Sequence, residues 1–137
     1  MQEHDDATQT AYKFYTSREI KDESLNAWFA LSHIQQKNNI SQMLQKYPSK
    51  TPIIILSATD QLLIPNPKLL FPTDMTCSSL KCVIRKKMGL TDKTMALFVY
   101  TTNNKLIADT STIREVMLKT KSTGLLYLKI ANEEVFG

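Results

Sequence analysis

Glycine is scarce in this chain, with three in 137 residues. A phosphate-cradling loop needs several glycines so that backbone amides can approach the ligand closely, and that chemistry is excluded here. Cysteine is scarcer still. Cys77 and Cys82 stand five apart in a segment of helical period, about 140° around a helix axis, so two reduced thiols are expected rather than a local disulfide. The two histidines, His4 and His33, lie far from both, and zinc-like spacing is missing. No Ser, Cys or carboxylate stands beside a histidine at motif spacing, which argues against an enzyme. Long apolar runs are also missing: "WFAL" and "IIIL" fall far short of the ~20 residues a membrane span needs. The opening "MQEHDDATQT" carries acids and no apolar stretch, unlike a signal peptide, and the expected compartment is the cytoplasm. Neither a dense arginine block nor an RNP-like aromatic motif points to nucleic acid.

What is present is an ordinary globular composition, 42% hydrophobic and 22% charged, on a length that suits one domain with a single core. The net charge of +4 is a mild basic bias that favours acidic partners or anionic surfaces.

Residues 1–22 show scattered aromatics without a steady period and are expected to form a flexible extension. A helical subdomain is expected over 23–48. Leu25, Trp28 and Phe29 share one face of a first helix with Ser24 as its N-cap, while Ile40, Met43, Leu44 and Tyr47 mark a second, capped by Asn39 and stopped by Pro48. "PIIILSA" is apolar at both parities, so it reads as a strand covered on both faces. "KLLFP" follows a connection punctuated by Pro65 and Pro67 and reads as a strand. "TCSSLKCVIRKKMG" places Leu80, Val83, Ile84 and Met88 on one stripe between a Thr76 cap and a Gly89 stop. "MALFVYT", "KLIA" and "GLLYLKI" read as strands and "TSTIREVMLK" as a short helix, with an extended tail over 132–137.

This order defines an α+β chain that resembles the ubiquitin-like β-grasp over 49–131, with two additional N-terminal helices. "KYPSKTPIII", "KLLFPTDMT", "VIRKKMGL", "ALFVY", "GLLYLKI" and "NEEVFG" recur in the order found in the autophagy ubiquitin-like modifiers, the family of the GABA-receptor-associated protein and the microtubule-associated-protein light chains. The resemblance covers about residues 40 to 137. "SHIQQKNN", "SATDQLL" and "KSTGLL" depart from the family pattern.

The resemblance implies a modifier whose terminal glycine is activated, passed as a thioester between two enzyme cysteines and joined to the amine of phosphatidylethanolamine during autophagosome formation. Gly137 would carry the carboxyl group, with little steric hindrance, and Phe136 would anchor the tail. The implied partners are the activating and conjugating enzymes, a processing cysteine protease that exposes the glycine, and phosphatidylethanolamine membranes once a diacyl anchor is attached. The chain would be cytoplasmic first and on the autophagosome membrane after conjugation, monomeric and without a cofactor. Short adaptor or cargo peptides would add to the second strand. Matched positions place Met43, Pro52, Ile54, Lys68, Leu70 and Leu125 around an aromatic-accepting pocket, and Leu69, Phe71, Pro72, Met75, Leu80 and Val83 around an aliphatic one. Leu125 stands where an aromatic is common and predicts an altered first pocket. Lys50 and Arg85 match positions that face the processing and conjugating enzymes, against the plain alternative of surface ion pairs. Two other readings use the same fold: a modifier joined to a protein lysine, and a peptide-binding module that is never conjugated.

Overall fold

The computed structural model describes residues 6–18, 21–59, 62, 64, 67–90, 95–122 and 124–133. In it the apolar run at 53–56 lies in a strand, β1 (Lys50–Ser57), that sends alternate side chains to opposite faces. Ile53 and Ile55 enter one core together with Leu80 and Ile84 of α4 (Cys77–Lys87) and Ile113 and Val116 of α5 (Ile113–Thr120). Ile54 and Leu56 enter a second core with Ala11 and Tyr15 of α1 (Asp6–Thr16) and Leu25 and Trp28 of α2 (Glu23–Ala30). Both faces of the sheet are therefore covered, as an unbroken apolar strand requires.

Among the described residues the sheet has four strands, adding β2 (Lys68–Pro72), β3 (Phe98–Thr101) and β4 (Leu126–Ala131) to β1, in the order β2-β1-β4-β3. The central β1–β4 pair is parallel, from Ile53 opposite Leu126 to Ser57 opposite Ile130, and the outer pairs are antiparallel. Helices on both sides of a mixed sheet with α4 crossing one face make this the α+β ubiquitin-like β-grasp. The segment read as the strand "KLIA" is reduced to one bridge between Leu106 and Tyr100. Residues 105 and 107 bond back to β3 and Ile107 is buried in the core, but Leu106 itself is more than half exposed.

The front of the chain differs most from its sequence reading. Residues 6–16 are not a loose extension but α1, whose Thr8, Ala11 and Tyr15 form a buried stripe. Two of those three are small, so the stripe lacks the large apolar residues by which a helix is recognised. The Tyr15 hydroxyl accepts the Asp22 N–H at 2.7 Å and lies 2.6 Å from Asn26 Oδ1, tying α1 to the start of α2. The cap of α2 is Asp22, not Ser24. Its carboxylate accepts the N–H groups of Ser24 at 2.8 Å and Leu25 at 3.1 Å, which a serine two residues later cannot do for its own first turn.

The third helix, α3 (His33–Lys46), starts six residues before its expected Asn39 cap. Ser32 and Gln35 close its N-terminus as a reciprocal capping box. Asn39 sits inside the helix and donates to Gln35 O at 2.9 Å. The earlier start buries Gln36, whose Nε2 donates to Trp28 O at 3.0 Å. In α4, Thr76 caps Ser79 N–H at 3.3 Å and Gly89 takes φ +67° just past the Met88 C-cap, matching the expected start and stop.

Candidate functional site

Among the described residues strand β2 pairs on one side only, with β1, from Lys50 opposite Pro72 to Ile54 opposite Lys68. An outer strand with an open backbone edge is a template for a further strand. Beside it lies a cavity of about 540 Å³, within the range of ligand pockets, roughly 300–1,000 Å³. Met43 of α3, Pro52 and Ile54 of β1, Lys68 and Leu70 of β2, and Leu125 line it, which brings together the whole set expected for an aromatic pocket. Leu69, Phe71, Pro72, Met75 and Val83 line the same cavity, so the positions expected for the aliphatic pocket continue it.

Leu80 does not belong there. It is 1% exposed and part of the core under the sheet, because it occupies the inner side of the α4 stripe while Val83, one turn on, reaches the groove. Four lining residues escaped the sequence reading: Trp28, Asn39, Ile53 and Lys87. Trp28 was visible as an apolar helix residue, but its place in the groove wall depends on how α2 packs against β1 and β2. Lys68 Nζ stands 5.6 Å from the centroid of the Trp28 ring, a cation–π contact that holds the lysine over the wall of the cavity. The charged lining residues among those described are Lys68 and Lys87, both cationic.

Lys50 and Arg85 lie outside this lining. Lys50 Nζ is 5.6 Å from the Tyr47 ring centroid. Arg85 is drawn inward: its Nη2 donates to Met95 O at 2.7 Å, and its buried Nη1 has no hydrogen-bond partner among the described residues. Gly137 and Phe136 lie outside the described residues, which end at Glu133. Both thiols are free. Burial pushes the Cys77 thiol up to about 11; Lys81 opposes the rise and Asp109 adds to it, so the group stays protonated at neutral pH. Among the described residues no helix is long and apolar enough to cross a membrane.

A β-grasp body defines the class of ubiquitin-like proteins, and this one adds helices on the second sheet face and an apolar groove along its edge strand. The chain belongs to the Atg8 family within that class, since residues 35–137 match the family described as "Autophagy protein Atg8 ubiquitin like". It is similar to autophagy-related protein 8c of Arabidopsis thaliana, 31% identical over 117 residues that cover 82% of this chain and 97% of that protein. Autophagy-related protein 8 of Mycosarcoma maydis is 28% identical over 107 residues, 75% of this chain and 88% of the relative. The crystal structure of Trypanosoma brucei ATG8 superimposes with a TM-score of 0.67 at 27% identity, covering 85% of this chain and all of that one. The chain is therefore a divergent autophagy ubiquitin-like protein, in a family of ubiquitin-like modifiers.

Proposed function

We propose that this protein is conjugated through Gly137 to the amine of phosphatidylethanolamine and that its edge groove holds short extended adaptor or cargo peptides. The chemistry of conjugation resides in partner enzymes. They activate the carboxyl group, carry it as a thioester and release the thiol when the lipid amine forms the amide. This chain supplies an unhindered acyl end, with Phe136 as the apolar anchor behind it. Processing, activating and conjugating enzymes would meet the body near Lys50 and Arg85. Among the described residues no helix is long and apolar enough to cross a membrane, and stable membrane residence would come from the two acyl chains gained.

The observation that carries the peptide reading is the open edge of β2 running beside an apolar cavity whose charged rim is cationic. Main-chain pairing along β2 gives affinity, and side chains dropping into the cavity give selection. Incubation with ATP and cell extract, followed by intact mass and membrane flotation, tests the conjugation. A lipid-sized mass gain with flotation, lost when Gly137 is deleted, is the expected result. One large covalent species instead marks attachment to a protein lysine, and the absence of any Gly137-dependent change overturns conjugation.

A further inference from the structure

A second concavity of about 350 Å³ lies between the start of α1, the first half of α3 and the connection from α5 to β4. Its lining is amphiphilic. Ile40 and Leu125 supply apolar surface, while Lys37 and Lys121 supply cationic nitrogen and His33 an imidazole, and Asp6 is the one acid among the described residues lining it. Neither Lys37 nor Lys121 forms an ion pair within the described residues. The "KSTGLL" departure from the family pattern falls on this wall.

The wall is fixed rather than loose. Lys121 is the C-cap of α5 and adopts a left-handed φ of 55°, with its N–H directed to Leu118 O at 3.3 Å and the Ser122 N–H to Met117 O at 2.9 Å. The Thr120 and Ser122 hydroxyls meet at 2.7 Å on the same wall. Across the cleft, the Ser32–Gln35 box engages the N–H groups of Ser32 and Gln35 at the start of α3, and the side chains of His33 and Lys37 stand on that side. Lysines act on phosphate as point charges, without the fixed fork of arginine.

We propose that this cleft binds a small phosphate-bearing molecule, its anionic head between Lys37, Lys121 and His33 and its apolar part against Ile40 and Leu125. A free ligand fits better than a bilayer headgroup. The cleft opens at the Leu125 end of β4, while the tail leaves the sheet past Ala131 at the other end, a six-residue strand away, about 20 Å.

The test is a titration of the full ¹⁵N-labelled chain with phenyl phosphate, with inorganic phosphate and phenol as separate arms. Saturable amide shifts at Lys121, Ser122 and Leu125, stronger with phenyl phosphate than with either part alone, are the expected result. Lys37→Ala and Lys121→Ala each weaken binding about tenfold, Asp6→Asn tightens it, and Lys86→Ala leaves it unchanged. Urea midpoints of the variants confirm that each is folded. The proposal is overturned by an absence of saturation at about 10 mM, ten times a millimolar Kd. Equal binding by the Lys37→Ala/Lys121→Ala double variant, or binding only to vesicles containing phosphatidic acid, overturns it as well.

Discussion

Trp28 Nε1 donates to the hydroxyl of Tyr127 at 3.0 Å, across 99 residues of chain, and Thr8 Oγ1 meets the same hydroxyl at 3.0 Å. One phenolic oxygen on β4 thus joins α1 and α2 to the sheet. All three groups are buried, so none recovers its partner from water when another is removed. Trp28→Phe removes the indole N–H while Thr8 still meets the Tyr127 hydroxyl, and is expected to cost about 1–2 kcal/mol; Trp28→Ala is expected to cost about 3–5 kcal/mol through the cavity it leaves. Urea unfolding of both variants checks the difference, and a Trp28→Phe midpoint equal to the parent's would show that the bond contributes nothing.

Removal of residues 1–18 is expected to lower stability by several kcal/mol, because it uncovers the faces of Phe29 and Tyr127 against which Ala11 and Tyr15 pack. A tail without packing would leave the thermal midpoint where it was. Calorimetry distinguishes the two.

Gly124 takes φ +85°, and a Cβ placed there would stand 2.9 Å from Ile40 Cγ2 and 3.3 Å from Leu44 Cδ1. Gly124→Ala is expected to destabilise by about 1–3 kcal/mol, from left-handed backbone and overpacking together. Gly89→Ala meets open space at φ +67° and carries the backbone cost alone, about 1–2 kcal/mol. A reversal of this order in denaturant melts would contradict the close approach of α3 to the β4 entry.

Two buried groups give the stability curve opposite slopes at high pH. For Cys77 the folded value, about 11, lies above the unfolded 9.0. Its contribution is complete below pH 9 and is lost as pH rises through 11, and Cys77→Ala is expected to remove that loss. Burial instead lowers the Lys129 value. The unfolded chain then binds the extra proton, and stability gained by neutralising this lysine grows with pH until about 10.4. Lys129→Met is expected to flatten that rise. Denaturant midpoints measured from pH 7 to 11 for the parent and both variants separate the two terms.

Lys68 is exposed and lies over Trp28 at the mouth of the groove. Lys68→Glu is expected to weaken an acid-flanked aromatic peptide about tenfold or more, with the deficit shrinking in high salt, and to leave the urea midpoint nearly unchanged. Fluorescence anisotropy at two ionic strengths checks this.

The sheet was largely legible because its signals are local, whereas the groove positions came from the family resemblance and not from local pattern. Four apolar residues in a row at 53–56 demand cover on both faces, and Thr76 and Gly89 bracket α4 by side-chain and backbone chemistry alone. Leu80 was misplaced because adjacent turns of one stripe can face either the core or the groove, and only the tilt of α4 decides. The front of the chain was hidden for another reason. Thr8 and Ala11 form a buried stripe with little apolar mass, and Gln36 is buried on a bond to a carbonyl eight residues earlier, so their places follow from tertiary packing that periodicity does not encode. Lys129 belongs with them. Its ammonium sits 4.1 Å from the Phe14 ring centroid and 2.8 Å from Asn104 Oδ1, a pairing visible only once α1 lies on the sheet.

The parallel pairing of β1 with β4 has a consequence for biosynthesis. The middle of the sheet stays empty until its final strand leaves the ribosome, and Ile53 must wait for Leu126 to emerge. Helices and the β1–β2 hairpin can form during translation, but the cooperative core closes only once β4 has emerged. A nascent chain therefore has an unfilled central slot, while in the finished fold that slot holds the strand from which the carboxyl-terminal segment departs. Completion of the body and presentation of its tail are thereby bound into one event.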